Sequence, residues 1–165
     1  MEKTVAKIPS LDIRSIGIQI VREMASADVK SLLPVPHSDA TVLDIAGYAV
    51  IEKLCTLLES SGRSDLWDLA IEYVDTLAFP HVENPIDDNL PIEVVDEDVE
   101  MYSMMIHPAI DKIITNGDAE GGIDIEVVIG GLIYGAVGCL VASHSLKTAR
   151  EIVSARLSSC LRQVS

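Results

Sequence analysis

Aromatic residues are scarce in this sequence of 165 residues, at 4% of the chain, and Phe79 is its single phenylalanine. Because 48% of the residues are nevertheless hydrophobic, the core must be built mainly from leucine, isoleucine, valine, alanine and methionine. This composition excludes a fully disordered chain, a collagen-like chain and a low-complexity repeat. We expect a single domain over residues 1–165 that folds without disulfides or a structural metal.

Basic residues are also few, with 12 Lys and Arg against 26 Asp and Glu, and the net charge is −14. The imbalance lies in residues 64–126, which hold 17 acidic residues and Lys112 as their sole base. An acidic surface repels nucleic-acid phosphates and anionic lipids, so we expect neither direct nucleic-acid binding nor membrane binding. A solvated face is the simpler interpretation of this region, and recognition of a basic protein is the functional one.

Cysteines are few, and their spacing excludes a disulfide framework. The chain has three cysteines, Cys55, Cys139 and Cys160, which is an odd number. They form no C-x-x-C motif, and each lies among apolar residues. Free thiols in such positions behave as small hydrophobic side chains, which favours a reducing compartment. Lys3 and Lys7 are not followed by the apolar run of a signal peptide. We therefore expect a cytoplasmic protein.

Motifs typical of catalytic and cofactor sites are missing from the sequence. It contains no Gly-x-Ser-x-Gly and no Ser-x-x-Lys segment. The glycine-rich residues 130–135 are not G-x-G-x-x-G, and they lack the Lys-Ser/Thr ending of a phosphate-binding loop. We therefore assign no catalytic residue and no cofactor.

Apolar residues recur at helical spacing along most of the chain, which predicts an all-α fold, a single-domain bundle of about five main helices. Residues 1–9 are expected to form a loose tail, and residues 80–96 an acidic loop interrupted by prolines. The predicted helical segments are 11–25, 39–61, 64–79, 96–116, 127–143 and 146–164.

Two local features refine this prediction. The short connection between the helices at 39–61 and 64–79 predicts that they pack as an antiparallel hairpin. Pro108 removes a backbone donor from the following helix, so we expect a kink or a split near His107.

An α+β fold remains the alternative, with short strands near residues 16–21 and 123–129. Ile16, Ile18 and Ile20 alternate with more polar or smaller residues, and so do the apolar residues from 123 onward. Alternation of this kind is typical of a half-buried strand.

Residues 127–143 carry no charge. A membrane span needs about 20 apolar residues, so a central buried helix is the better interpretation of this shorter run. Gly131, Gly135, Gly138 and Ala142 share one face of it and lack bulky side chains. We expect this face to pack closely against another helix of the chain, and the functional alternative is the seam of a homodimer.

Acidic side chains cluster at helical spacing or in runs, but none forms a recognisable metal motif. Asp68, Glu72 and Asp75 share one helix face. The candidate acidic interaction surface comprises Asp68, Glu72, Asp75, Asp87, Asp88, Asp96, Glu97, Asp98 and Glu100. We assign no metal site, and His107 with Asp111, four residues apart, is the nearest candidate for one.

These observations favour a non-catalytic protein that binds another protein, as an adaptor, a small chaperone or a regulator. The partner would present a basic or amphipathic segment. Two alternatives remain open. One is a metal-binding or enzymatic bundle that uses Asp68, Glu72, Asp75, His107 and Asp111, and the other is an acidic nucleic-acid mimic that acts as an inhibitor.

Overall fold

The computed structural model is all-α over the residues that it describes, which are 13–24, 39–77, 79, 96–119, 125–141 and 144–164. This confirms the predicted fold class, and most helices begin and end within a few residues of their predicted bounds. The tail at 1–9 and residues 80–95 of the predicted loop lie outside the described residues. The helices are α1 (Ile13–Met24), α2 (Asp39–Ser61), α3 (Ser64–Thr76), α4 (Asp96–Ala119), α5 (Ile125–Leu140) and α6 (Leu146–Val164).

The alternative α+β fold is wrong wherever the structure describes the two segments concerned. Residues 16–21 lie inside α1, where Ile16 and Ile20 are buried one turn apart while Ile18 is half-buried. Residues 125–129 begin α5. A short alternation of apolar residues fits a strand and one side of a helix equally well, and the longer helical stripe decides between them.

Helix α4 runs without interruption through Pro108, so the predicted split near His107 is wrong. Proline leaves the carbonyl one turn earlier, that of Met104, without its helical donor. Pro108 and Met104 are both exposed, so water can reach that carbonyl and the lost bond is not buried. The helix also continues beyond residue 116, its predicted end, and ends at Ala119.

Helix α5 is the centre of the fold and packs against α1, α2, α3 and α6. Every residue from Val128 to Val137 is buried, as the uncharged run predicts for a helix that is apolar on all sides. Among the described residues, no helix combines the length and the hydropathy needed to cross a bilayer.

Glycines allow α1 and α5 to approach closely. A Cβ built on Gly131 would lie 2.5 Å from Ile16 Cγ2, and a Cβ built on Gly17 would lie 2.5 Å from Tyr134 Cδ1. Neither position has room for another carbon atom, so each helix supplies a notch for a side chain of the other. This contact brings the α1 backbone against the central helix.

Helix α3 packs mainly against α5 and α6, so the predicted hairpin of α2 and α3 is wrong. Gly62 ends α2 with a φ of 65°, in the left-handed region that favours glycine. Arg150 of α6 then fixes the far end of α3 through hydrogen bonds to the carbonyls of Asp75 at 2.6 Å and Leu77 at 2.9 Å. Its guanidinium carbon also lies 5.4 Å from the centre of the Phe79 ring.

Candidate functional site

A groove of about 430 Å³ lies between α2, α4 and α6, and we call it the α4 groove. Its walls combine two carboxylates, one guanidinium, one imidazole, two hydroxyl groups and two apolar side chains. The lining residues are Glu52, Thr56, Val99, Glu100, Ser103, Met104, His107 and Arg156. Three helices that are far apart in sequence thus contribute polar groups to one concave surface, and we take this groove as a candidate site.

Arg156 joins α6 to α2 at one wall of this groove. Its Nη2 donates to Glu52 Oε2 at 3.1 Å, and its guanidinium carbon lies 5.2 Å from the centre of the Tyr48 ring. Burial raises the pKa of Tyr48, the charge of Asp44 raises it further, and the nearby Arg156 opposes that rise. The phenol therefore stays neutral near pH 7 and offers its ring face to the cation.

Ser103 contributes a buried hydroxyl to the same groove. The residue is only 8% exposed, and its Oγ has no hydrogen-bond partner among the residues that the structure describes. Most buried polar groups in folded proteins are hydrogen-bonded. An unpaired hydroxyl in the wall of a groove is therefore a site where a ligand can make a hydrogen bond that the protein alone does not make.

The outer side of α4 presents an apolar surface beside this groove. Met101 is 41% exposed and Met104 is 75% exposed, and no other large hydrophobic side chain among the described residues is comparably exposed. Glu97 and Glu100 lie on the same helix face, because these four positions are spaced i, i+3, i+4 and i+7. They line a second depression of about 400 Å³. We call these four residues the methionine face.

His107 and Asp111 do not form the pair that their spacing indicates. His107 Nε2 donates to the Ala49 carbonyl oxygen at 3.0 Å, while Asp111 Oδ1 lies 2.5 Å from Lys53 Nζ. Both contacts attach α4 to α2. The two residues therefore help to set the position of α4, and neither shares a ligand site with the other.

The acidic row Asp68, Glu72 and Asp75 is exposed on α3. Helix α3 does not pack against α4, so the five residues of the metal-binding or enzymatic alternative are not brought together. Among the described residues, no group of three or more His, Cys, Asp or Glu side chains is placed to hold a metal ion.

The remaining candidate residues divide into three groups. Glu97 and Glu100 are exposed on the methionine face, and Glu100 also borders the α4 groove. Asp96 and Asp98 belong to the first turn of α4. Asp87, Asp88 and Ala142 lie outside the described residues.

The glycine face of α5 is covered by α1 in the folded chain. A Cβ on Gly135 would lie 2.9 Å from Ile20 Cγ2, and one on Gly138 would lie 2.8 Å from Val21 Cγ2. The surface that the homodimer interpretation requires is therefore already occupied by another helix of the same chain.

An interaction that sequence reasoning missed joins Asp44 of α2 to His144, just before α6. His144 Nε2 lies 2.8 Å from Asp44 Oδ1, and the aspartate side chain is 1% exposed. The sequence did offer a signal for this interaction, because Asp44 lies beside the apolar positions Val42, Ile45 and Ala46. A carboxylate that is buried with such neighbours needs a partner. The pair lies outside the lining of the α4 groove.

All three cysteines are free, and their surroundings make two of them unreactive. Burial, with a smaller contribution from Asp44, raises the pKa of Cys139 to about 12. Burial also raises the pKa of Cys55, as does a hydrogen bond with Cys160, so these two thiols are neighbours. Because the thiolate is the reactive form, buried thiols of this kind are poor nucleophiles at neutral pH.

We expect native protein at pH 7 to react slowly with Ellman's reagent, and the half-buried Cys160 to react first. With a pKa of about 12, roughly one Cys139 side chain in 10⁵ is a thiolate at that pH. Unfolding in guanidinium should release three equivalents of colour. Substitution Cys160→Ser should remove the fastest native phase, and rapid reaction of all three native thiols would contradict these assignments.

No protein-family model matches the chain, and neither a curated protein nor a solved structure is significantly similar to it.

Proposed function

We propose that this chain is a non-catalytic acidic protein that binds another protein through the methionine face, as an adaptor, a small chaperone or a regulator. The observation that carries the proposal is the exposure of Met101 and Met104 on one side of α4. Exposed apolar side chains grouped on one face are typical of interaction surfaces, whereas scattered ones need no explanation.

Methionine suits such a surface because its unbranched, polarizable side chain adapts to partners of different shape. Glu97 and Glu100 flank the two methionines and favour a partner with basic residues. The partner chemistry that fits best is an amphipathic helix with an apolar stripe edged by lysines. The acidic character of the whole chain, with a net charge of −14, would speed its association with such a partner.

We further propose that the chain works in the cytoplasm. The three free thiols, two of them in the core, support a reducing compartment.

A labelled synthetic helix with leucines on one side and lysines on the other tests the proposed function. Fluorescence anisotropy should show saturable binding that weakens as salt is added. The double substitution Met101→Ser with Met104→Ser should raise the Kd roughly tenfold or more, because two apolar anchors are lost. A peptide with glutamates in place of the lysines should bind much more weakly.

Two charge-matched double variants separate local recognition from general attraction. Glu97→Gln with Glu100→Gln removes two charges from the methionine face, whereas Glu72→Gln with Asp75→Asn removes two from exposed positions of α3. Only the first pair should weaken binding strongly. Equal effects of the two pairs, or full binding by the methionine variant, would contradict the proposal.

A further inference from the structure

The hydrogen-bonding groups of the α4 groove are unequally engaged. Thr56 Oγ1 donates its hydrogen to the Glu52 carbonyl oxygen at 3.0 Å, so this hydroxyl can only accept from a ligand. His107 Nε2 lies 3.0 Å from the Ala49 carbonyl oxygen. Because a carbonyl only accepts, Nε2 carries the hydrogen of this bond. Thr56 and the carboxylates of Glu52 and Glu100 therefore offer acceptors, whereas the buried Nε–H of Arg156 is a donor with no partner among the described residues.

The charges in the groove favour a cation. Glu52 and Glu100 are its two carboxylates, and Arg156 is the one basic side chain in the described lining. Arg156 is engaged by Glu52 through its Nη2 and by the ring of Tyr48, while its buried Nε has no hydrogen-bond partner among the described residues. The lining is thus net negative, and the carboxylate of Glu100 repels an anionic ligand.

Ser103 is an independent sign that a ligand belongs here. More than nine-tenths of the residue is buried, and its hydroxyl has no partner among the described residues. The unpaired hydroxyl is unfavourable in the free protein, and a ligand that donates a hydrogen bond to it removes that penalty.

We infer that the α4 groove receives the primary ammonium group of a lysine side chain from the partner protein. The three N–H donors of an ammonium group can be shared among the acceptors of the groove, of which Glu52, Glu100 and Ser103 are the ones that we assign to it. The methylene stem of lysine would pack on Val99 and Met104 while its charged end reaches the polar wall.

The methionine face makes a partner protein the source of this lysine. Glu100 and Met104 belong both to that face and to the lining of the groove, so one bound segment can occupy both. The inference therefore rests on the proposed function and names the partner group that the site recognises.

Replacing the lysines of the synthetic helix one at a time with norleucine tests the inference. Norleucine keeps the methylene chain but lacks the ammonium group. We expect one position at which the replacement raises the Kd roughly tenfold, as for the loss of a charged hydrogen-bonding group. Ser103→Ala should weaken binding of the lysine peptide several-fold, and should leave binding of that norleucine peptide unchanged.

Ser158→Ala is the matched control, since Ser158 is a half-buried serine of α6 outside the groove lining. It should leave the affinity of both peptides unchanged. Glu52→Gln should reproduce the effect of Ser103→Ala, with the same dependence on the lysine position.

The inference is wrong if no lysine position responds, or if Ser103→Ala binds the lysine peptide as tightly as the unchanged protein does. In either case a loss of binding on substituting Met101 and Met104 still supports the proposed function. Absence of any peptide binding overturns both. Displacement of the peptide by spermidine at a concentration below the peptide Kd would identify a free polyamine as the ligand and would overturn the assignment to a partner lysine.

Discussion

Replacing His144 with alanine is expected to lower the free energy of unfolding by about 3 kcal/mol. The substitution removes a hydrogen-bonding partner, 2.8 Å away, from the carboxylate of Asp44, which is 1% exposed. That carboxylate remains buried in the folded variant and keeps its desolvation cost, so the folded state alone is penalised. Urea unfolding followed by circular dichroism measures the loss.

The same substitution at His107 is the matched control. His107 also donates to a residue of α2, but its acceptor is the carbonyl of Ala49, which accepts a helical hydrogen bond as well. We expect His107→Ala to cost only about 1 kcal/mol. The effects of His144→Ala and Asp44→Asn should be non-additive by at least about 1 kcal/mol if the pair interacts directly. A His144 variant no less stable than the His107 variant would contradict this account.

Substituting Gly131 with alanine is expected to destabilise the protein by about 1–3 kcal/mol. At an unhindered helix position the change would stabilise it by about 1 kcal/mol, because alanine is the better helix former. At Gly131 the change is destabilising instead, because the new Cβ would lie 2.5 Å from Cγ2 and 2.8 Å from Cβ of Ile16. Those atoms are near the α1 backbone and cannot move without moving the helix. Thermal and urea unfolding report the effect.

Gly130→Ala provides the control within the same helix. Its Cβ would meet mainly Cδ1 and Cγ1 of Ile13, the flexible end of a half-buried side chain that can change rotamer. We expect a smaller loss than at Gly131. Combining Gly131→Ala with Ile16→Ala should cost less than the sum of the two single changes, since the second removes the obstructing Cγ2. A Gly131 variant as stable as the unchanged protein would show that α1 can move away from α5 at little cost in free energy, and would contradict this prediction.

The helices were predictable because each has an apolar stripe long enough to define its period. In α2 the stripe formed by Val42, Ala46, Ala49, Val50 and Leu54 is buried, as its spacing predicts. The prediction failed where packing between helices decided the outcome. The short connection around Gly62 fits a hairpin, yet α3 finds its apolar partners on α5 and α6, and loop length alone carries no information about that preference.

The candidate site was less predictable, because it depends on how three helices meet. Glu52, Ser103 and Arg156 come from α2, α4 and α6, and nothing in their local spacing relates them. Asp44 and His144 are likewise 100 positions apart. Exposure of Met104 also depends on the rotation of α4, which the contacts of His107 and Asp111 with α2 help to set. The sequence supplies the chemistry of these groups, and only tertiary packing brings them together.

The reciprocal notches between α1 and α5 also define a register. The Tyr134 ring fits where Gly17 has no side chain, while Ile16 fits where Gly131 has none. Sliding α1 along α5 by one turn would bring Tyr134 opposite Ile13 or Val21 instead, and two bulky side chains would then compete for one space. The α1–α5 pair therefore has a single well-packed alignment and resists the ratchet-like shifts by which smoother helix pairs change state.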